Sequence, residues 1–459
     1  MNPEKFDAIV IGTGQSGPSL AAKMAGNGWK TAIIEKEKFG GTCVNTGCTP
    51  TKTMVASARA AHIARNAARY GVQVQGEVKV DMKKVLARKD EIVNASTTGV
   101  ENWLKSTENL TVIEGKATFL NNHQIAVENR VLEAGKIFIN VGGRPRIPAG
   151  YEQINCMTNQ EILQLDKVPD HLLVVGGSYI GLEFGQMFNR FGSKVTIVER
   201  ADRLVSREDP EVSKEIEKFL EAEGIHLRLQ ATCLDGIPHG KDEILINVDC
   251  EKGDRQVVGS HLLLAVGRIP NTDDLGLSHT DIAVDKRGFI EVNEALETSV
   301  EGIYAIGDCN GKGAFTHTSY NDYEIVASQL FDQKKRTIKD RILCYGLYTD
   351  PALARIGMSE TEVKASGRNA LVGTRPMSRI ARAKEKGETY GFMKIFVDEE
   401  TEEILGATIL GIEADEIIHS LLDIMYAKAS YRVISEAVHI HPTVSELIPT
   451  TLQSLEPLS

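Results

Sequence analysis

Two cysteines, Cys43 and Cys48, stand five residues apart in GGTCVNTGCTPTK (40–52), and Pro50 follows two residues after the second. Proline is favoured in the first turn of a helix, where its missing N–H would have had no partner. Cys48 is therefore expected near a helix N-terminus, whose dipole favours a thiolate over a thiol. The thiolate is the form that attacks sulfur and binds soft metal ions. Three readings fit the pair: reactive thiols, half of a metal site, or two unrelated buried cysteines. A structural zinc site needs four ligands, usually with closer cysteine spacing, and there is no second pair. The other five cysteines (Cys156, Cys233, Cys250, Cys309 and Cys344) are scattered. Seven in 459 residues is too few, and odd, for a disulfide scaffold. They fit a chain kept reduced in the cytoplasm.

Glycine-rich turns lie on either side of this segment. Gly12, Gly14 and Gly17 form Gly-x-Gly-x-x-Gly between the strand-like FDAIVIG and a helical stretch. Such a turn lets backbone approach a pyrophosphate, and the helix N-terminus then faces the phosphate charge. Glu35 closes the next strand, where a carboxylate can accept hydrogen bonds from a ribose diol. The second turn, GGSYIG (176–181), keeps Gly176 and Gly181 but has Ser178 at the middle glycine position. A Cβ and hydroxyl there predict a looser approach to the pyrophosphate. Glu199 ends the following strand and favours an unphosphorylated ribose, as in NADH. Arg200 and Arg203 could instead pair with the 2′-phosphate of NADPH.

Stepping outward, 171–199 repeats the strand, turn, helix and strand of 6–35, so the chain holds two dinucleotide-binding units. Helices are expected at about 50–69 and 81–105, with short strands near 111–139. Hinge-like segments NVGGRPRIPAG (140–150) and AVGRIPNT (265–272) close the two units. A helix reaching about Phe331 follows IYAIGD, and from Tyr345 onward alternating strands and helices point to an antiparallel α+β domain. At roughly 150 residues per domain, 459 residues suggest about three. The net charge of −11 would repel phosphate-rich surfaces, so neither nucleic acid nor an anionic membrane is an expected partner. Apolar runs such as LLLAV (262–266) are far shorter than the ~20 residues a spanning helix needs. The start, MNPEKFDAIVIG, runs directly into a strand and does not read as a signal peptide.

On these motifs the chain resembles the class I pyridine nucleotide-disulfide oxidoreductases, the family of lipoamide dehydrogenase, glutathione reductase and mercuric reductase. The resemblance covers essentially the whole chain, and the wording GTCVNTGCTPTK is most similar to the mercuric-reductase-like branch. It implies an α/β protein with two Rossmann-like domains, for FAD and NAD(P), plus a C-terminal α+β dimerisation domain. The expected division is 1–150 and 273–342 for FAD, 151–272 for NAD(P) and 343–459 for dimerisation. By the same resemblance Cys43 and Cys48 form the redox disulfide, Cys43 attacking substrate and Cys48 stacking on the flavin. Lys52 would lie beside the flavin and pair with Glu183, Asp308 would bind the ribityl chain, and Tyr179 would gate the nicotinamide. Gly41, Thr42, Gly142 and Gly267 would join the cofactor contacts.

The C-terminal HIHPTVSELIP (439–449) carries the remaining chemistry by resemblance. His441 would serve as proton carrier for Cys43 across a homodimer interface, with Glu446 orienting its imidazole. His439 reads as structural. The apolar stripe of 413–427 is the expected dimer contact. Mercuric reductase typically ends in a cysteine pair, whereas TLQSLEPLS has no cysteine after Cys344. The expected activity is therefore NADH-linked reduction of a small disulfide through FAD and Cys43–Cys48. Reduction of Hg(II) or another thiophilic metal ion at the same cysteines is the alternative, and no resident metal site is expected. A lipoamide-dehydrogenase-like subunit that serves mainly by binding within a larger complex ranks below both.

Overall fold

The strands that carry the first turn are buried on both faces, as parallel strands between helical layers must be. Glu4–Ile11 and Thr31–Glu35 pair in parallel, and all five residues of the second strand are buried. In this computed structural model, which describes residues 2–151, 153–250 and 254–458, they join Leu110–Glu114 and the long strand Arg130–Ile139. The latter pairs at its far end with Ile303–Ala305. The chain thus returns to the first sheet after completing a second one. That second sheet is parallel throughout: His226–Arg228, Lys194–Val198, His171–Val175 and His261–Leu264. A three-stranded antiparallel sheet, Ala231–His239, Glu243–Cys250 and Gln256–Gly259, packs beside it. The two hinge segments pair with each other, Gly143–Pro145 against Arg268–Pro270, so both strands between the two units form one ribbon.

The helix expected at about 50–69 spans Cys48–Arg65, beginning at the cysteine itself, with Gly47 preceding it. It stops early because Ala67–Tyr70 tightens into a 3-10 turn ending at Gly71, whose φ is +74°. The next helix, Met82–Ser106, is capped by Asp81, which accepts from the Lys84 N–H at 3.2 Å. Among the described residues no helix is long and apolar enough to cross a membrane.

From Cys344 the chain builds an antiparallel sheet in the order Cys344–Leu347, Ala352–Gly357, Ile404–Gly411, Phe392–Asp398, Ala370–Pro376 and Glu456–Pro457. Its strands alternate faces. Ala354 and Ile356 enter a core with Ile417, Ile418, Leu421 and Leu422, whereas Arg355 faces the second nucleotide-binding unit. The apolar stripe expected to mediate dimer contact is therefore largely intrachain core. Between residues 420 and 445 the large apolar side chains left exposed are Tyr426, Val433, Val438 and Ile440.

Charged contacts hold the three regions together. Arg190 is nearly buried and reaches Glu223 at 2.6 Å and Asp350 at 2.5 Å, and Arg59 bridges Asp350 and Glu388. Burial pushes the Asp350 carboxyl up, but Arg190 and Arg59 outweigh it and hold the group below its ordinary range. Removing one partner of a buried ion pair strands the other, at about 3–5 kcal/mol. Arg190→Met should lower the apparent unfolding free energy by about that amount. A depressed carboxyl stabilises above its unfolded pKa of about 4 and loses that contribution as pH falls below it. The variant's acid unfolding limb should therefore be shallower than wild type in urea titrations. Equal limbs would show that the network contributes nothing.

Candidate active site

Two helices begin at the same place from different domains. Cys48 is the first residue of Cys48–Arg65, and Tyr179 is the first of Tyr179–Phe191. One turn into each, on the same face as the first residue, Lys52 Nζ meets Glu183 Oε2 at 2.6 Å. The other oxygen, Oε1, accepts from the Tyr348 N–H at 2.9 Å, and Nζ lies 4.5 Å from the Tyr348 ring centroid. The bridge so fixes the helix bearing the thiol to the helix bearing the second glycine-rich turn.

Cys43 sits on the short helix Gly41–Asn45, and both cysteines are free thiols. Cys48 is exposed and its Sγ lies 3.2 Å from Thr316 Oγ1. A hydrogen bond from Cys43 brings the Cys48 thiol down to about 6, against burial, with Thr316 and Lys52 adding to the effect. The same bond, with burial and the Cys48 charge, pushes Cys43 far up. The arrangement is a thiolate beside a protonated thiol.

The first turn is packed too tightly for side chains. A Cβ on Gly17 would meet Gly12 O at 2.2 Å, and one on Gly12, whose φ is +99°, would meet Asn140 O at 2.4 Å. Asn140 Nδ2 donates to Gly12 O at 3.2 Å and Gly14 O at 3.0 Å. Gly41 is also close, its added Cβ falling 2.8 Å from the Gly14 Cα, and Thr42 O accepts from the Thr46 N–H at 2.9 Å. Glu35 Oε2 accepts from the Thr13 N–H at 2.9 Å and Oε1 from the Glu37 N–H at 2.9 Å. The second turn repeats the device: Glu199 accepts from the Gly177 and Ala201 N–H groups at 2.6 and 2.8 Å. Ser178, the departure from the glycine pattern, is exposed and caps no N–H of its helix. An added Cβ on Gly181 would meet Gly176 O at 2.0 Å.

Gly142 and Gly267 differ, since an added Cβ would meet nothing within 4 Å; only their φ of +63° and +114° favours glycine. Burial raises the Asp308 carboxyl, and its nearest cation, Arg268, stands 3.9 Å away. A half-buried carboxyl with so weak a partner is suited to accept hydroxyl donors, and with the tight first turn it fits FAD.

His441 and Glu446 lie apart from this cluster. The His441 side chain is 73% exposed, and Nδ1 meets both Glu446 oxygens at 2.9 and 3.0 Å. His439 is half-buried and reaches Ala437 O at 3.4 Å. Among the described residues no three His, Cys, Asp or Glu side chains converge to hold a metal ion. Asn140, Thr316, Tyr348, Glu208, Tyr345 and Arg355 join the site or its surroundings without belonging to a sequence motif. Asn140 opens the 140–150 hinge, and its place before two glycines was the only signal.

Residues 6–322 match the pyridine nucleotide-disulphide oxidoreductase family, and 344–452 match its dimerisation domain. The probable pyridine nucleotide-disulfide oxidoreductase RclA of Escherichia coli is 34% identical over 96% of this chain and 97% of its own. The dihydrolipoyl dehydrogenase of Bacillus subtilis is 33% identical over 97% and 96%. The mercuric reductase of Lysinibacillus sphaericus is 31% identical over 92% and 77%. A solved Cu(II) complex of the HOCl-induced flavoprotein disulfide reductase RclA from E. coli superposes with a TM-score of 0.89, at 33% identity over 99% of both chains. The chain belongs to the pyridine nucleotide-disulfide oxidoreductase family, which implies FAD and a pyridine nucleotide.

In the reduced protein freed of FAD, alkylation by iodoacetamide should follow an apparent pKa of about 6. It should be slow below that value, where Cys48 is protonated, and level above it, with peptide mapping placing the label on Cys48. Thr316→Val removes a hydroxyl from the sulfur and should shift the profile upward. A wild-type midpoint at the ordinary cysteine value of about 8.5 would sink the assignment.

Proposed function

We propose that this oxidoreductase reduces a small disulfide with electrons from NADH, through FAD and the Cys43–Cys48 pair, as a homodimer in the cytoplasm. The observation that carries the disulfide reading is the His441–Glu446 pair. With Nδ1 held by the carboxylate at 2.9 Å, Nε2 is the nitrogen left to exchange protons. The dimerisation domain supports a partner subunit, and the exposed Val438 and Ile440 flank that loop. Seven cysteines in 459 residues, an odd number and mostly scattered, suit a reducing compartment.

In this mechanism His441 of the partner subunit takes the proton that keeps Cys43 inert. Cys43 attacks one sulfur of the substrate, forming a mixed disulfide as the substrate S–S bond breaks. The departing thiolate takes the proton back from the imidazole. Cys48, already a thiolate, then attacks Cys43 Sγ, breaking its bond to the substrate sulfur, which leaves as a thiolate as the Cys43–Cys48 disulfide closes. FAD, when bound, supplies the two-electron transfer between nicotinamide and this disulfide. Lys52, Glu183 and Asp308 hold the site around it, and Tyr179 gates the nicotinamide. Glu199 favours NADH, because its charge repels a 2′-phosphate. Arg203 is turned back onto Ser206 O at 3.1 Å, away from that role.

A second reading, reduction of a thiophilic metal ion, is favoured by the Cu(II) complex of the similar RclA. Metal-ion reduction at the thiols needs electrons and no proton delivery to a leaving sulfur, so His441 separates the two. Losing one acid–base partner typically costs a factor of about 10²–10⁴ in rate. His441→Ala should lose disulfide turnover by at least about a hundredfold, while NADH-dependent flavin reduction and Cu(II) reduction stay near wild type. Efficient Cu(II) or Hg(II) reduction by wild type, with no turnover of any small disulfide, would make the metal reading correct. For the nucleotide, kcat/KM should be higher for NADH than for NADPH. A preference of about tenfold for NADPH, about 1.4 kcal/mol, would mean that Arg200 and Arg203 override Glu199.

A further inference from the structure

One carboxylate joins the second nucleotide-binding unit to the antiparallel sheet. Glu208 is 2% exposed. Its Oε1 accepts two hydroxyls, Tyr179 at 2.9 Å and Tyr345 at 2.7 Å, while Oε2 accepts Arg355 Nε at 2.8 Å. Both tyrosine hydroxyls remain donors, because burial and the Glu208 charge push their ionisation far up. The two rings are held differently. Tyr345 stacks on Phe315 at 5.4 Å and 5°, and Phe315 stacks in turn on His317 at 5.4 Å and 12°. Tyr179 only tilts against this ladder, at 45° to Phe315 and 42° to Tyr345. Tyr345 is therefore the fixed donor, and Tyr179 is anchored mainly by its hydroxyl.

We propose that Tyr345 is a positioning residue for the nicotinamide half-reaction, keeping the shared Glu208 oxygen hydrogen-bonded when Tyr179 swings away. This rests on the reading of Tyr179 as the side chain that gates the nicotinamide. With both hydroxyls present, opening breaks one hydrogen bond and leaves Oε1 with Tyr345 and Oε2 with Arg355. Without the Tyr345 hydroxyl, opening leaves a buried carboxylate oxygen bare, which is much costlier than losing one of two donors. Without the Tyr179 hydroxyl, the gate has no latch. The two phenylalanine variants must then act in opposite directions, which simple loosening of the site would not produce.

Anaerobic stopped-flow reduction of the holoenzyme flavin by NADH tests this. Tyr345→Phe should raise the apparent Kd for NADH about tenfold, the effect of a lost hydrogen bond to a charged group. Its limiting rate should stay within about twofold of wild type, and Tyr179→Phe should lower the apparent Kd. Inhibition by ADP-ribose, which lacks the nicotinamide, should be the same in wild type and both variants. Should Tyr345→Phe fold poorly, Tyr345→Leu serves instead: it also withdraws the hydroxyl from Glu208 while leaving the Arg355 pair intact, and it should raise the apparent Kd as Tyr345→Phe would. If Tyr179→Phe leaves NADH binding unchanged, the gate reading fails and this proposal with it. If Tyr179→Phe tightens NADH while Tyr345→Phe does nothing or acts in the same direction, the gate stands and the role of Tyr345 is overturned.

Discussion

The ion pair between Lys52 and Glu183 is the contact on which the geometry of the site depends. Each residue lies one turn inside a helix, one opened by Cys48 and the other by Tyr179. Joining the two at 2.6 Å sets the separation of the thiol from the second glycine-rich turn, although they belong to different sheets. Glu183 is 9% exposed by its side chain and would be costly to bury alone. It is satisfied on both oxygens, by Lys52 and by the Tyr348 N–H, so the third region of the chain also takes its position from this carboxylate.

From that geometry follows an asymmetry between the thiols. A single proton is shared between two sulfurs, and the helix start, Thr316 and Lys52 all favour charge on Cys48. Cys43 keeps the proton and is the poorer nucleophile until a base removes it. Among the described residues, the carboxylate-oriented imidazole of His441 shares no hydrogen bond or ion pair with Cys43, Cys48, Lys52 or Glu183. A second copy, docked through the region the family uses for dimerisation, would supply the base that a single chain holds elsewhere. Thiol asymmetry and dimerisation then belong to one mechanism.

Much of this was legible in the sequence because it rests on local rules. Glycines at 12, 14 and 17, a proline after Cys48 and an acidic residue at each strand end are short-range signals, and they matched the helix starts and turns found here. What escaped was of long range. Asn140 reaches Gly12 and Gly14 across 128 and 126 residues, and Thr316 reaches Cys48 across 268, distances over which periodicity carries no information. The 413–427 stripe misled for a related reason. An apolar helical face says that something covers it, and here the cover is the chain's own sheet, with Ile417, Leu421 and Leu422 against Ile356 and Ile409.

The largest unforeseen feature is how charged the seams between the three regions are. Arg190, Arg355 and Lys394 each leave their own region to meet carboxylates of another, and Arg355 is 2% exposed. Buried ion pairs are an inefficient source of stability compared with apolar packing, because desolvation offsets most of the attraction. They are demanding of geometry, however, since a misaligned pair leaves a buried charge unsatisfied. A sliding apolar seam would tolerate rotation of the nucleotide-binding unit, whereas Arg355 with Glu208 and Asp209, and Arg190 with Glu223 and Asp350, would not. In a molecule held this way, the proposed gating of the nicotinamide falls to side chains at the seam more readily than to rotation of a whole region. The tyrosine hydroxyls gathered on Glu208 stand at that seam, where a swing of Tyr179 would break one hydrogen bond and leave Glu208 still paired with Tyr345 and Arg355.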